Sequence, residues 1–131
     1  GSKYAQFGLG NERAQRISPI GNLIENDILT CFHSDFFMAP VEPLTLMWTA
    51  VNRKTIDGKT FGAELRIEPW EALKAVTINA AYHLNQEDKI GSIEVGISAD
   101  FVILDRNPLK VDSEEINQIK VIKTIFKGQE N

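Results

Sequence analysis

Three side chains in this sequence are of the types that could together bind a metal ion. Asp35 follows His33 by two positions, and His83 is the second of the two histidines in the chain. A carboxylate can ligate a metal ion or act as a base toward a metal-activated water, and a neutral imidazole is a common zinc ligand. The wide separation of the histidines favours no arrangement, so a local three-ligand site and a polar loop without chemistry both stay open.

The element that would present Asp35 is the apolar run over residues 28–32. An apolar run without polar alternation is typical of a parallel strand that is buried on both faces. In parallel sheets and barrels, active sites lie at the carboxyl ends of the strands. Asp35 therefore stands where such a fold places a catalytic or metal-ligating carboxylate. Its alternative role is to cap the segment that follows.

Two helices are predicted after this strand. Residues 44–51 follow Pro43, which suits a first helical turn, and their apolar positions fall on one face. A longer helix is predicted from Pro69 to about Leu84, and the intervening residues 52–66 predict an exposed loop. The inward stripe of the longer helix comprises Leu73, Val76, Ala80 and Leu84.

The last third of the chain predicts short strands over residues 90–96, 99–105 and 119–126. One isolated buried strand cannot pair its own backbone groups, and three short strands make only part of a sheet. The order of strand, helices and short strands therefore predicts a piece of a larger α/β protein.

The composition limits the classes of binding partner that can be expected for this chain. The 131 residues include 14 lysines and arginines against 18 acids, a net charge of −4, which gives no basic face for nucleic acid. No apolar run reaches the roughly 18 residues of a membrane span, so no membrane partner is expected. The single cysteine, Cys31, excludes an internal disulfide and favours a reducing, cytoplasmic location. Cys31, Trp48 and Trp70 are better explained as packing residues than as reactive or binding groups.

Several motifs together resemble the carboxyl-terminal part of an amidohydrolase. They are residues 33–35, 72–81 and 91–105, with further similarity over residues 12–16 and 51–55. The branch that they resemble includes N-substituted formamide deformylases and exoenzyme regulatory proteins. The resemblance extends from about residue 10 to residue 127.

The resemblance implies an α/β fold, a (β/α)8 barrel that carries a small β-sandwich. Residues 28–32 would be the eighth barrel strand. Residues 1–85 would hold this last strand and the closing helices, and residues 86–131 the carboxyl-terminal strands of the sandwich. A barrel needs about 250 residues, so this chain is expected to contain only a fragment of it.

Asp35 matches the aspartate that ends the last barrel strand in the family. The resemblance implies that Asp35 contacts a divalent metal, expected to be zinc, takes a proton from the bound water and passes it to the leaving nitrogen. The substrate would be a small amide-like molecule with a non-peptide carbon–nitrogen bond. The family assigns no role to His33, and its other metal ligands lie upstream, so the isolated chain is expected to hold no cofactor and to be inactive.

A second hypothesis is a non-catalytic domain that binds a partner or self-associates through unpaired strand edges. Under either hypothesis, unpartnered apolar faces predict a homo-oligomer.

Overall fold

The amino-terminal part of the chain is helical. The computed structural model describes residues 2–130. Three short helices come first: α1 (Ser2–Phe7), α2 (Gly10–Ala14) and α3 (Ile20–Glu25). Pro19 directly precedes α3, a position where its missing N–H removes no helical hydrogen bond.

Helix α4 (Pro43–Asn52) confirms the predicted helix over residues 44–51. Pro43 opens it, and Arg53 ends it in the left-handed conformation with a φ of 56°. The apolar spacing also predicted the buried face correctly. Met47 and Val51 are buried, while Leu44 and Trp48 pack against the same core.

The prediction of one long helix from Pro69 to about Leu84 is wrong, because these residues form two separate helices, α5 (Pro69–Ala75) and α6 (Ile78–His83). The break falls at Thr77, whose hydroxyl donates to the Leu73 carbonyl at 2.7 Å. Thr77 also stands between Val76 and Ile78, and consecutive β-branched residues disfavour helix. The predicted inward stripe is confirmed only in part, because Leu73 and Val76 pack against the core and Ala80 is partly buried. Leu84 is exposed, and the buried positions of the two helices are Ala72, Ala75 and Ala81.

The predicted buried strand over residues 28–32 is also wrong. Ile28 and Leu29 are exposed, and the segment belongs to no sheet. Its backbone groups bond to helices instead: the Phe32 N–H donates to the Ala75 carbonyl at 3.2 Å, and the Thr30 carbonyl accepts from Asn79 Nδ2 at 3.0 Å. The physical reason is that a strand needs a neighbouring strand, and the described residues place none beside it.

A three-stranded antiparallel sheet closes the chain, in the order β1 (Phe101–Leu104), β2 (Val121–Phe126) and β3 (Gln129–Glu130). Strands β1 and β2 confirm the predictions for residues 99–105 and 119–126. The strand predicted over residues 90–96 is absent from the structure of residues 2–130. Gly91 and Gly96 both have positive φ values there, which turn the chain out of strand geometry.

The buried core joins α4 and α5 to a 3-10 helix over Ser113–Gln118. It contains Met47, Ala50, Val51, Ile67, Ala72 and Ile116. The loop over residues 52–66, predicted to be exposed, contributes buried residues at both ends, including Arg53, Phe61 and Leu65. No helix in the described part of the chain is long and apolar enough to cross a membrane. Nor do residues 2–130 form a barrel, since their only sheet is the antiparallel one.

Candidate functional site

Asp35 lies on a tight turn at the end of the 28–35 segment. Its φ of 53° is left-handed, and its carbonyl accepts from the Met38 N–H at 2.6 Å, which closes the turn. The side chain is exposed. Within residues 2–130 its carboxylate takes part in no hydrogen bond or ion pair, so both oxygens are open to a ligand.

His33 uses its Nδ1 atom to accept from the Asp35 backbone N–H at 3.1 Å. A neutral imidazole that accepts at Nδ1 carries its proton at Nε2. Neither ring nitrogen then has a lone pair free for a metal. The geometry thus makes His33 a support for the turn that carries Asp35.

His83 lies in the last turn of α6, with Nδ1 2.9 Å from the Asn79 carbonyl. A carbonyl only accepts, so Nδ1 is the donor and the lone pair of Nε2 stays free. However, no three His, Cys, Asp or Glu side chains come close enough to share a metal anywhere in residues 2–130. The hypothesis of a local site built from His33, Asp35 and His83 therefore has no support in the geometry.

A cleft of about 470 Å³ lies between α4, the segment that precedes Asp35 and the loop that joins α2 to α3. Its walls are mainly apolar, with Ile20, Leu23, Phe32 and Leu46 among them. His33 and Cys31 line the cleft, and Asp35 does not. The half-buried Cys31 thiol thus lies in the wall, as expected for a packing residue.

Arg53 forms part of the same wall and was not singled out as a functional residue by the sequence patterns. Its side chain is only 9% exposed. The guanidinium donates to three backbone carbonyls: from Nε to Phe61 at 3.1 Å, from Nη1 to Ser18 at 3.0 Å and from Nη2 to Ile17 at 2.6 Å. Burial lowers the pKa of Arg53 below its ordinary value, and the charge of Glu64 partly opposes this shift. The only signal of Arg53 in the sequence was its place in the 51–55 motif.

These contacts attach the 15–18 loop to the loop that follows α4. The Gly62 N–H adds a bond to Gln15 Oε1 at 2.7 Å. The same loop also holds the start of α1, because Asp57 accepts from the Thr55 hydroxyl at 2.6 Å and from Ser2 at 2.7 Å. The Thr55 and Ser2 hydrogen bonds lower the pKa of the exposed Asp57 carboxyl to about 2. In one part of the cleft wall, three backbone carbonyls thus gather around the Arg53 guanidinium.

Comparison with known proteins identifies the family. The family model described as the Amidohydrolase family matches residues 1–130. The chain belongs to this amidohydrolase family. An N-substituted formamide deformylase from Arthrobacter pascens is 29% identical over 118 residues, which are 90% of this chain and 22% of that protein. The protein YtcJ from Bacillus subtilis is 30% identical over 124 residues, which are 92% of this chain and 23% of that protein.

Two further matches agree with this family. An imidazolonepropionase from Streptococcus sanguinis is 58% identical over 41 residues, which are 31% of this chain and 10% of that protein. The solved structure of an amidohydrolase from Thermotoga maritima superposes with a TM-score of 0.65 at 24% identity, and covers 85% of this chain and 24% of that one. The chain thus has the fold of one part of an amidohydrolase, and it spans less than a quarter of the length of its first two relatives.

Proposed function

We propose that this chain is the carboxyl-terminal part of a metal-dependent amidohydrolase, called the full-length protein below, that hydrolyses a non-peptide carbon–nitrogen bond of an amide or formamide. The observation that carries the proposal is the open Asp35 carboxylate, which ends the 33–35 motif in a chain whose residues 1–130 match the family. Residues 28–32 would become the last barrel strand when upstream strands lie beside them. Residues 1–85 would complete the barrel and residues 86–131 the β-sandwich.

The residues present fit a metal only in part, because Asp35 is the one residue to which the family resemblance gives a ligand role, and residues 2–130 gather no three potential ligands around it. The carboxylate is exposed and free of other contacts, as a ligand to a hard or borderline cation must be. A divalent metal, for which we propose zinc, would polarise the scissile carbonyl and make water a stronger nucleophile near neutral pH. The remaining ligands would come from the rest of the full-length protein.

Asp35 itself would move the proton. Its carboxylate takes a proton from the attacking water and then delivers it to the leaving nitrogen, so that the amine departs neutral. The His33 imidazole holds the Asp35 backbone N–H and keeps the turn in place. Asp35 is thus both metal ligand and general base, and the substrate is a small amide-like molecule.

The test is an Asp35→Asn substitution in the full-length protein. We expect kcat for amide hydrolysis to fall about 100-fold or more, because an amide cannot take up the proton. Asp27→Asn is the matched control, since Asp27 is also exposed and has a similar φ of 56°. Asn tolerates this left-handed conformation, so neither variant should be strained.

Metal content provides a second readout. We expect near-stoichiometric metal in the full-length protein and only a small fraction in the isolated chain. Stoichiometric metal in the isolated chain, lost on Asp35→Ala, would instead mean a local site.

A non-catalytic binding or self-association domain is the second candidate, and the exposed apolar side chains of β2 favour it. That candidate would be supported if the full-length protein hydrolysed neither amides nor formamides, with or without the two aspartate substitutions. A reducing, cytoplasmic compartment remains a proposal that depends on the single cysteine.

A further inference from the structure

The backbone of Asp35 is held by a hydrogen bond on each side. Its N–H donates to His33 Nδ1 at 3.1 Å, and its carbonyl accepts from the Met38 N–H at 2.6 Å. Between these two bonds Asp35 has a φ of 53°, a left-handed conformation that an aspartate in a free chain adopts only occasionally. The two hydrogen bonds therefore stabilise a backbone conformation that residue 35 would not keep by its own preference.

The bond between His33 and Asp35 has the form of an Asx turn, in which a side-chain acceptor bonds to the backbone N–H two residues later. Asn and Asp ordinarily supply this acceptor, and here an imidazole nitrogen supplies it. A neutral ring that accepts at Nδ1 carries its proton at Nε2. The other histidine of the chain, His83, has the opposite tautomer, since its Nδ1 donates to the Asn79 carbonyl at 2.9 Å.

The position of the Asp35 carboxylate depends on this backbone. The direction of a Cα–Cβ bond follows from the backbone of the same residue, so a turn that relaxes moves the carboxylate with it. Within residues 2–130 the exposed carboxylate has no hydrogen bond or ion pair of its own to hold it. A general base must come within about 2.6 to 3.2 Å of the atom whose proton it takes, so a small displacement slows the transfer.

We propose that His33 is a positioning residue for the hydrolysis, and that its Nδ1 atom keeps Asp35 in the conformation that presents the carboxylate. The inference rests on the proposed function, in which Asp35 is the general base, and it adds a residue to which the family resemblance gives no role. The imidazole acts through one acceptor atom and through the backbone of Asp35. A different side chain that places an acceptor at the same point should therefore replace it.

Two substitutions separate the acceptor from the ring in the metal-loaded full-length protein. His33→Phe keeps an aromatic ring and removes the acceptor, whereas His33→Asn removes the ring and supplies Oδ1 as the acceptor of an Asx turn. With N-methylformamide as the substrate, we expect His33→Phe to lower kcat about 10-fold with little change in KM, and His33→Asn to retain most of kcat. His83→Phe is the matched control and should leave kcat unchanged, because the hydrogen bond of His83 stays within α6.

A double-mutant cycle tests whether His33 acts through Asp35. In the Asp35→Asn background, His33→Phe should lower kcat no further, because the carboxylate that His33 positions is gone. A residue that only stabilised the fold would lower kcat by the same factor in both backgrounds.

The tautomers give a readout that does not depend on turnover. At about pH 9, where imidazoles are neutral, long-range ¹⁵N–¹H spectra of the chain should show His33 protonated at Nε2 and His83 protonated at Nδ1.

Equal losses of kcat in His33→Phe and His33→Asn would overturn the proposal, since the acceptor would then not matter. Full activity in His33→Phe, independent losses in the double-mutant cycle, or a His33 ring protonated at Nδ1 would overturn it as well. Failure of the proposed function has a different signature: the wild type hydrolyses no formamide, or Asp35→Asn retains full activity, while the His33 tautomer is as assigned. In that case the kinetic role of His33 falls with the proposed function.

Discussion

The positively charged side chain of Arg53 is almost completely buried and donates hydrogen bonds to three carbonyl oxygens. Hydrogen bonds from a charged donor contribute more than neutral ones, and a buried carbonyl that loses its donor keeps its desolvation cost. The planar guanidinium reaches three acceptors at once, which the single ammonium of a lysine does not reproduce. At the scale of one residue, Arg53 thus fixes the loops that wall the cleft.

Arg53→Met keeps much of the volume and removes all three donors. We expect it to lower the free energy of unfolding by about 2 to 5 kcal/mol, because three carbonyls are left unpaired. Arg53→Lys should lie between this variant and the wild type. The measurement is urea unfolding of the chain.

Arg16→Met is the control for this prediction, since the exposed Arg16 meets only Glu12, at 3.6 Å. A surface pair of this kind contributes about 1 kcal/mol or less. Similar losses at both positions would contradict the role assigned to Arg53.

At the scale of the elements, Gly91 decides how the chain leaves α6. It has a φ of 98°, and a Cβ added to it would lie 2.8 Å from Ala81 Cβ and 3.0 Å from Ile78 Cα. The loop after α6 therefore passes too close to that helix for any side chain. This contact turns the chain where the sequence pattern predicted a strand.

Gly91→Ala should be much more destabilising than Gly96→Ala. The two glycines have nearly the same φ, 98° and 99°, but a Cβ on Gly96 meets nothing within 4 Å. Both variants carry the backbone strain of a left-handed alanine, and only Gly91→Ala adds a clash with α6. We expect the clash to add about 1 to 3 kcal/mol, measured as the difference between their urea unfolding free energies. Equal losses would mean that the loop moves away from α6 without cost.

At the scale of the whole molecule, the sheet leaves an apolar face open. Val102 pairs with Thr124 across β1 and β2, and alternation along β2 places Phe126 on the same side as Thr124. A register shift between Ile103 and Leu104 leaves Ile122 as the unpaired residue of β2. All three apolar side chains are exposed. Such a contiguous surface favours association, whether with the rest of the full-length protein or with a second copy.

We therefore predict that the isolated chain forms a homo-oligomer at micromolar concentration and that Ile122→Lys shifts it toward the monomer. A charge on this surface must be desolvated for association to occur. Sedimentation velocity over a range of concentrations provides the measurement. Ile56→Lys is the control, because Ile56 is fully exposed in the loop after α4 and away from the sheet. A wild-type chain that stays monomeric at every concentration would contradict the prediction.

Local patterns in the sequence determined the elements whose packing partners lie within this chain. The spacing of apolar residues after Pro43 predicted α4 and its buried face, and short apolar runs predicted β1 and β2. The 33–35 motif selected Asp35 because a carboxylate that follows an apolar run is visible without a structure. The motifs as a set indicated the amidohydrolase family, which the match over residues 1–130 confirms.

Tertiary structure decided the features that depend on a distant partner. The apolar residues 28–32 have strand character, but a strand forms only beside another strand, and here their bonds go to the two helices α5 and α6. In the sequence, Arg53 is one charged residue in a loop that is predicted to be exposed. Only the fold brings the Ile17 and Ser18 carbonyls to it. The sequence alone thus determined Asp35 as the candidate for chemistry, and the contacts between distant segments decided the conformation of residues 28–32 and the burial of Arg53.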